Sequence, residues 1–187
     1  AGITLCDCIG NPLKTRPLVA FVMLREPQDL DAEALSSYVA KTWPGLKFYE
    51  HSRTEDGLVS FEGDGTELAA VSRIDVPFPV SELEYPCATA LSWAEACEEL
   101  GKTKAHLIIT VFGKGDALDD HLRASMLVQA AMNLTDAAGV YWSTADSVWS
   151  REDFQTATET MSREEFFLPL WVGLKSRRDW MRLGGAL

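Results

Sequence analysis

The stretch His106-Leu107-Ile108-Ile109-Thr110-Val111-Phe112, followed by Gly113-Lys114-Gly115 and Asp116, decides the reading of this chain. A short apolar run rich in β-branched residues and bounded by glycine reads as a buried strand. Asp116 can accept hydrogen bonds from the first free amides of a helix. The helix it opens carries Leu118, Leu122, Met126, Leu127, Ala130, Ala131 and Leu134, and it is expected to span about 116–138 with Gly139 as its C-terminal cap. Its apolar residues lie on more than one face, so both sides are expected to be covered.

The same strand-then-helix grammar extends toward the N-terminus. Leu18–Leu24 is a continuous apolar run between Pro17 and Pro27 and predicts a strand. Asp31 caps a helix bearing Leu35, Tyr38, Val39 and Trp43, which Pro44-Gly45 stops. Lys47–His51, Gly57–Glu62 and Glu67–Val76 read as an antiparallel meander with turns at Glu55-Asp56-Gly57 and Gly63-Asp64-Gly65. Leu83, Cys87, Ala90, Leu91, Ala94 and Leu100 then form one helical stripe ending at Gly101, although Pro86 conflicts with a start at Ser81.

Beyond the long helix, Val140-Tyr141-Trp142 begins a short strand. Ser150 caps another helix, and Phe167–Leu174 reads as a last strand. The resulting order, β-α-β-β-β-α-β-α-β-α-β, predicts an α/β (α+β) two-layer sandwich. A mixed sheet containing the meander would pack against three to four helices. One domain spans 1–187, with an irregular lead-in at 1–17 and a basic tail at 175–187.

Net charge excludes some partners. The formal charge is −11, and Lys175, Arg177, Arg178 and Arg182 in the tail account for four of the seventeen basic residues. The body is therefore more acidic than the total suggests. It repels phosphate backbones and anionic bilayers, so neither nucleic acid nor membrane is an expected partner. The expected partner is a protein that is basic at the contact. No apolar run reaches the ~20 residues needed to span a bilayer. No signal-peptide pattern is visible, and the four cysteines suit a reducing compartment, so the expected location is cytoplasmic. Cys6-Asp7-Cys8 lacks a second ligand pair for zinc. Cys87 and Cys97, on one continuous helix, would stand roughly 15 Å apart, too far for a disulfide.

The partial motifs each lack a part their chemistry requires. Gly113-Lys114-Gly115 has Leu118 where a third glycine would stand, and no Gly-Lys-Ser/Thr follows. Asp116, Asp119, Asp120 and His121 are candidate cation ligands. An acidic first turn is also what the helix dipole favours, and helical spacing puts only some of them on one face. The histidines, His51, His106 and His121, form no zinc helix, and no nucleophile elbow occurs. The expectation is no catalytic residue, no metal and no cofactor. The alternative is an enzyme with an unrecognised site near His106, His121 and Asp116, Asp119 and Asp120.

Glu50, Glu55, Asp56, Glu62, Asp64 and Glu67 cluster across the meander turns. Charge that protects a sheet edge explains them, and so does an electrostatic docking surface. With Trp93, beside the stripe of its helix, they form the expected partner-binding set.

Val19-Ala20-Phe21-Val22-Met23-Leu24, Pro77-Phe78-Pro79, Lys104-Ala105-His106-Leu107-Ile108-Ile109-Thr110-Val111, Val140-Tyr141-Trp142 and Leu168-Pro169-Leu170-Trp171-Val172 together resemble a bacterial domain-of-unknown-function family, the one numbered 4261. The resemblance covers about 18–175 and rests mainly on core strands, so it implies fold rather than activity. Members continue past the final strand into a Gly-containing stretch, where this chain ends at Gly184-Gly185-Ala186-Leu187. No catalytic residue carries over. Acidity, compact size and missing motifs lead to a non-catalytic binding module, most concretely an immunity-like inhibitor of a basic bacterial toxin or effector. A scaffold or self-associating subunit is a further alternative.

Overall fold

A computed structural model describes residues 17–44, 48–54, 58–63, 68–90, 92–113 and 116–173. It contains β1 (Leu18–Leu24), α1 (Ala32–Thr42), β2 (Phe48–Arg53), β3 (Val59–Gly63), β4 (Leu68–Ile74), α2 (Glu84–Ala88), α3 (Ala96–Gly101), β5 (Ala105–Phe112), α4 (Ala117–Leu134), β6 (Ala137–Trp142), β7 (Ser147–Ser150) and α5 (Arg151–Thr158). The strands form one seven-stranded sheet in the order β2-β3-β4-β5-β1-β6-β7.

The two-layer α/β reading holds, but the sheet is not mixed. Every strand pairing among the described residues is antiparallel. A helical crossover usually joins parallel neighbours. Here α4 carries the chain from β5 to β6, and β1 lies between those two strands, antiparallel to both.

The strand alternation sorts side chains onto two faces. Leu18, Ala20, Val22 and Leu24 of β1 join Ala105, Leu107, Ile109 and Val111 of β5 in the main core, under α1, α4 and α5. A polar link ties those helices together. Gln155 Nε2 donates to Asn133 Oδ1 at 2.5 Å, and Asn133 Nδ2 donates to the Tyr38 hydroxyl at 2.7 Å. On the opposite face Met23 packs with Leu83, Cys87, Ala96 and Leu100, so α2 and α3 cover that face at one end.

Three caps are as the sequence predicts. Asp31 accepts from Glu33 N and Ala34 N, Asp116 from Leu118 N, and Ser150 from Asp153 N. Gly139 is not the cap of α4. The helix stops at Leu134, Thr135 turns its hydroxyl back to the Ala131 carbonyl at 2.8 Å, and Gly139 lies inside β6. The helix expected across 81–101 is broken. Val80–Glu82 is a 3-10 turn, α2 has only five residues, and the chain leaves helical geometry until α3. Pro86 sits as the third residue of α2, where a missing N–H costs little. The strand expected at Phe167–Leu174 is instead a 3-10 turn, Leu168–Leu170, around Pro169, which cannot donate to a ladder.

His106 lies on the face opposite α4, against Phe21 and Phe78. Its Nδ1 donates to the Val76 carbonyl at 3.0 Å, which fixes the proton on that nitrogen. Burial holds its pKa below the ordinary value of 6.5, and the bond to Val76 only partly opposes this. The neutral ring is thus favoured in the folded chain. Its contribution is complete above pH 6.5 and is lost as pH falls through the lower folded value. Urea midpoints should therefore fall between pH 7.5 and pH 5. A His106→Asn variant, which keeps a donor but cannot titrate, should show a flatter profile over that range. An equal slope in both proteins would remove His106 as the cause.

Candidate functional site

Among the described residues, a concavity follows one edge of the sheet. β7 is the end strand, and a cavity of about 200 Å³ borders Ala145–Trp149 along it. Tyr85, Pro86 and Thr89 of the α2 region form one wall, and Pro169, Val172 and Gly173 form the other. A second hollow of about 460 Å³ continues past Trp149 to Met161, Phe166 and Phe167. Ser92 and Trp149 line both, so the two form one groove.

The local sequence holds this groove open. The turn between β6 and β7 places Asp146 at φ 51°, in the left-handed region that Asp tolerates better than most residues. The Tyr141 hydroxyl donates to Asp146 Oδ1 at 3.1 Å. Burial, then the Asp146 carboxylate, push the Tyr141 phenol up to about 12, so it stays a donor at neutral pH. Gly173 closes on this turn so tightly that a Cβ there would stand 2.1 Å from the Ala145 carbonyl oxygen. At the other end Asp153 Oδ2 accepts from Ser150 Oγ and Ser92 Oγ, both at 2.8 Å. One carboxylate thus tethers the α2–α3 connection to the start of α5.

The rim is unusually apolar. Phe166, Phe167, Leu168 and Val172 are 41%, 44%, 52% and 45% exposed. Phe167 meets Trp149 edge-on at 5.8 Å, and Phe166 stacks on Trp171 at 5.4 Å. Carboxylates of Glu165 and Asp153 stand among these rings. Exposed apolar residues gathered beside a groove mark contact surfaces more often than singly scattered ones do.

The residues of the alternative enzyme site do not converge. His106 is on one face of the sheet, while His121, Asp116, Asp119 and Asp120 belong to the first turns of α4 on the other. His121 Nδ1 donates to the Ala117 carbonyl at 2.7 Å and its ring packs on Trp171 at 5.1 Å. Asp119 and Asp116 pair with Arg163 at 2.5 and 3.4 Å. The Leu118 amide, and then Arg163, hold the Asp116 carboxyl below its usual range. Asp120 is buried and occupies the space a Gly113 Cβ would need. Its pKa is raised by burial, with Arg123 opposing. Among the described residues no three His, Cys, Asp or Glu side chains gather to hold a metal ion.

Of the expected partner-binding set, Glu62 is exposed on β3. The Glu50 side chain and Glu55, Asp56, Asp64 and Glu67 lie outside the described residues. Trp93 is half-buried, with its ring beside Gly139. Sequence reading missed the groove because its walls come from four separate segments. The usable signal was Phe166-Phe167-Leu168 ahead of Pro169, an apolar run that includes surface positions.

Among the described residues no helix is long and apolar enough to cross a membrane. Comparison with protein-family models, with curated proteins and with solved structures finds no match for this chain.

Proposed function

We propose that the chain is a non-catalytic protein-binding module that takes an extended, basic segment of its partner into the groove along β7. Its most concrete form is an immunity-type inhibitor of a basic bacterial effector. The observation that carries this reading is the exposed Phe166-Phe167-Leu168 rim beside an end strand. An end strand offers main-chain donors and acceptors to an added strand, and neighbouring pockets select alternate side chains. Carboxylates at the rim and a net charge of −11 favour lysine and arginine between the apolar side chains. The acidic meander then contributes long-range attraction, which speeds encounter, while the aromatic rim holds the partner once docked.

The test uses synthetic decapeptides of alternating lysine and valine, the same with glutamate for lysine, and the lysine peptide with central prolines. The lysine peptide should bind, should weaken as salt screens the charges, and should shift the amide resonances of Ser147–Ser150. The other two peptides should fail. Phe167→Ser should weaken binding about tenfold, equivalent to about 1.4 kcal/mol. Binding that ignores peptide charge, or shifts confined to other strands, would refute the groove as the docking site.

A further inference from the structure

The hollow of about 460 Å³ that continues the groove past Trp149 has its own chemistry. Among the described residues no lysine, arginine or histidine lines it, whereas Asp153 and Glu165 both do. Neither carboxylate has an ion-pair partner among those residues. Arg163, close to Glu165 in sequence, is held by Asp116 and Asp119 instead. Asp153 is held in place by the hydroxyls that its Oδ2 accepts from Ser150 and Ser92. Trp149 and Phe167 meet at 82° with their centroids 5.8 Å apart, so the two rings form a corner. The Trp149 indole N–H is taken by Ser147 Oγ at 3.2 Å. Met161, 5% exposed, adds a thioether to the lining.

Ring faces and unpaired carboxylates attract a cation, and a corner lets one cation lie within about 6 Å of two ring centroids. Hydrogen bonding decides which kind. A primary ammonium carries three N–H donors and a guanidinium five. Two rings and a thioether leave most of these unmatched, which is costly once water is stripped away. An ammonium whose hydrogens are replaced by methyl groups keeps its charge and has no donor to satisfy. We propose that this hollow is the side-chain pocket for an N-methylated lysine of the docked segment. The cation sits in the Trp149–Phe167 corner, and Glu165 and Asp153 balance its charge. The lysine source rests on the groove reading: Ser92 and Trp149 line both hollows, so a strand along β7 delivers its side chains here. Net acidity attracts any lysine, whereas the corner selects the methylated form.

The test uses the lysine–valine decapeptide in three forms: with one central lysine trimethylated, unmodified, and with that trimethylammonium replaced by a neutral tert-butyl group of the same shape. The trimethylated form should bind about tenfold tighter than the neutral isostere and about threefold tighter than the unmodified form. It should also shift the indole N–H resonance of Trp149. Phe167→Leu keeps apolar bulk and removes a ring, and it should reduce both preferences to less than about twofold. Glu165→Gln should reduce the preference over the isostere. Both positions are exposed, so the fold should be retained. Equal binding of the trimethylated and isosteric forms, with Ser147–Ser150 still shifted, would overturn the pocket and leave the groove standing. Binding of the unmodified lysine as tight as that of the trimethylated one would overturn the selection for methylation. Failure of all three forms to shift Ser147–Ser150 would refute the groove reading itself. A shift of Trp149 by choline alone would then assign the corner to a free amine and overturn the lysine source.

Discussion

Gly139→Ala is expected to destabilise the fold by about 3 kcal/mol, the upper range for forcing a methyl into a packed site. Gly139 lies in β6 opposite Met23 of β1 and Ser150 of β7. A Cβ there would stand 2.5 Å from the Trp149 carbonyl oxygen and 2.7 Å from the Trp93 ring. The carbonyl belongs to the neighbouring strand and cannot move without disturbing the ladder. The indole can swing away, but it anchors the connection between α2 and α3. A Trp93→Ala background should therefore recover only part of the loss, because the backbone contact remains. Urea unfolding of the two single variants and the double variant measures this. A Gly139→Ala protein within about 0.5 kcal/mol of the parent, the range of ordinary surface changes, would show that the strands can part.

Gly139 also shows where sequence reading meets its limit. A glycine closing a long helical pattern is a good cap signal, yet here it leaves space for an indole that arrives from 46 residues earlier. β5 and α4 are legible because each is specified locally, by a continuous apolar run and by an aspartate at the helix start. β7 is not. It has four residues, two of them Ser, and only Val148 is buried. Its turn reverses through Asp146 rather than glycine, so no hairpin dipeptide announces it. The helix expected across 81–101 is broken where Ser92 donates to Asp153 and the Trp93 ring lies beside Gly139, contacts with residues far along the chain that local spacing does not reveal. The break also removes the straight helix that underlies the spacing of roughly 15 Å between Cys87 and Cys97, though both cysteines are free, as expected. The candidate site was illegible for a related reason. Its walls come from 85–90 with Ser92, from 145–149, from 153–161 and from 165–173, and no spacing rule links segments that far apart.

Phe154→Ala is expected to cost more, about 4 kcal/mol, a typical value for emptying a fully buried aromatic site. Phe154 is 0% exposed and stacks on Trp142 at 6.3 Å with an interplanar angle of 28°. α5 has eight residues, of which only Phe154 and Thr158 are buried, so one ring supplies most of the apolar attachment of that helix. Its loss should loosen the start of α5 and with it Asp153, the acceptor that holds both Ser150 and Ser92. Phe154→Ala should then weaken peptide binding through the shape of the groove and lower the urea midpoint together. Phe167→Ser, at a position 44% exposed, should weaken binding while changing stability by only about 0.5 kcal/mol. Urea unfolding and peptide titration on the same two variants separate these effects. Equal loss of stability in both would make Phe167 a core residue and remove it from the docking rim. Unchanged stability in Phe154→Ala would mean that α5 is held by its polar link to Asn133 instead of by its ring.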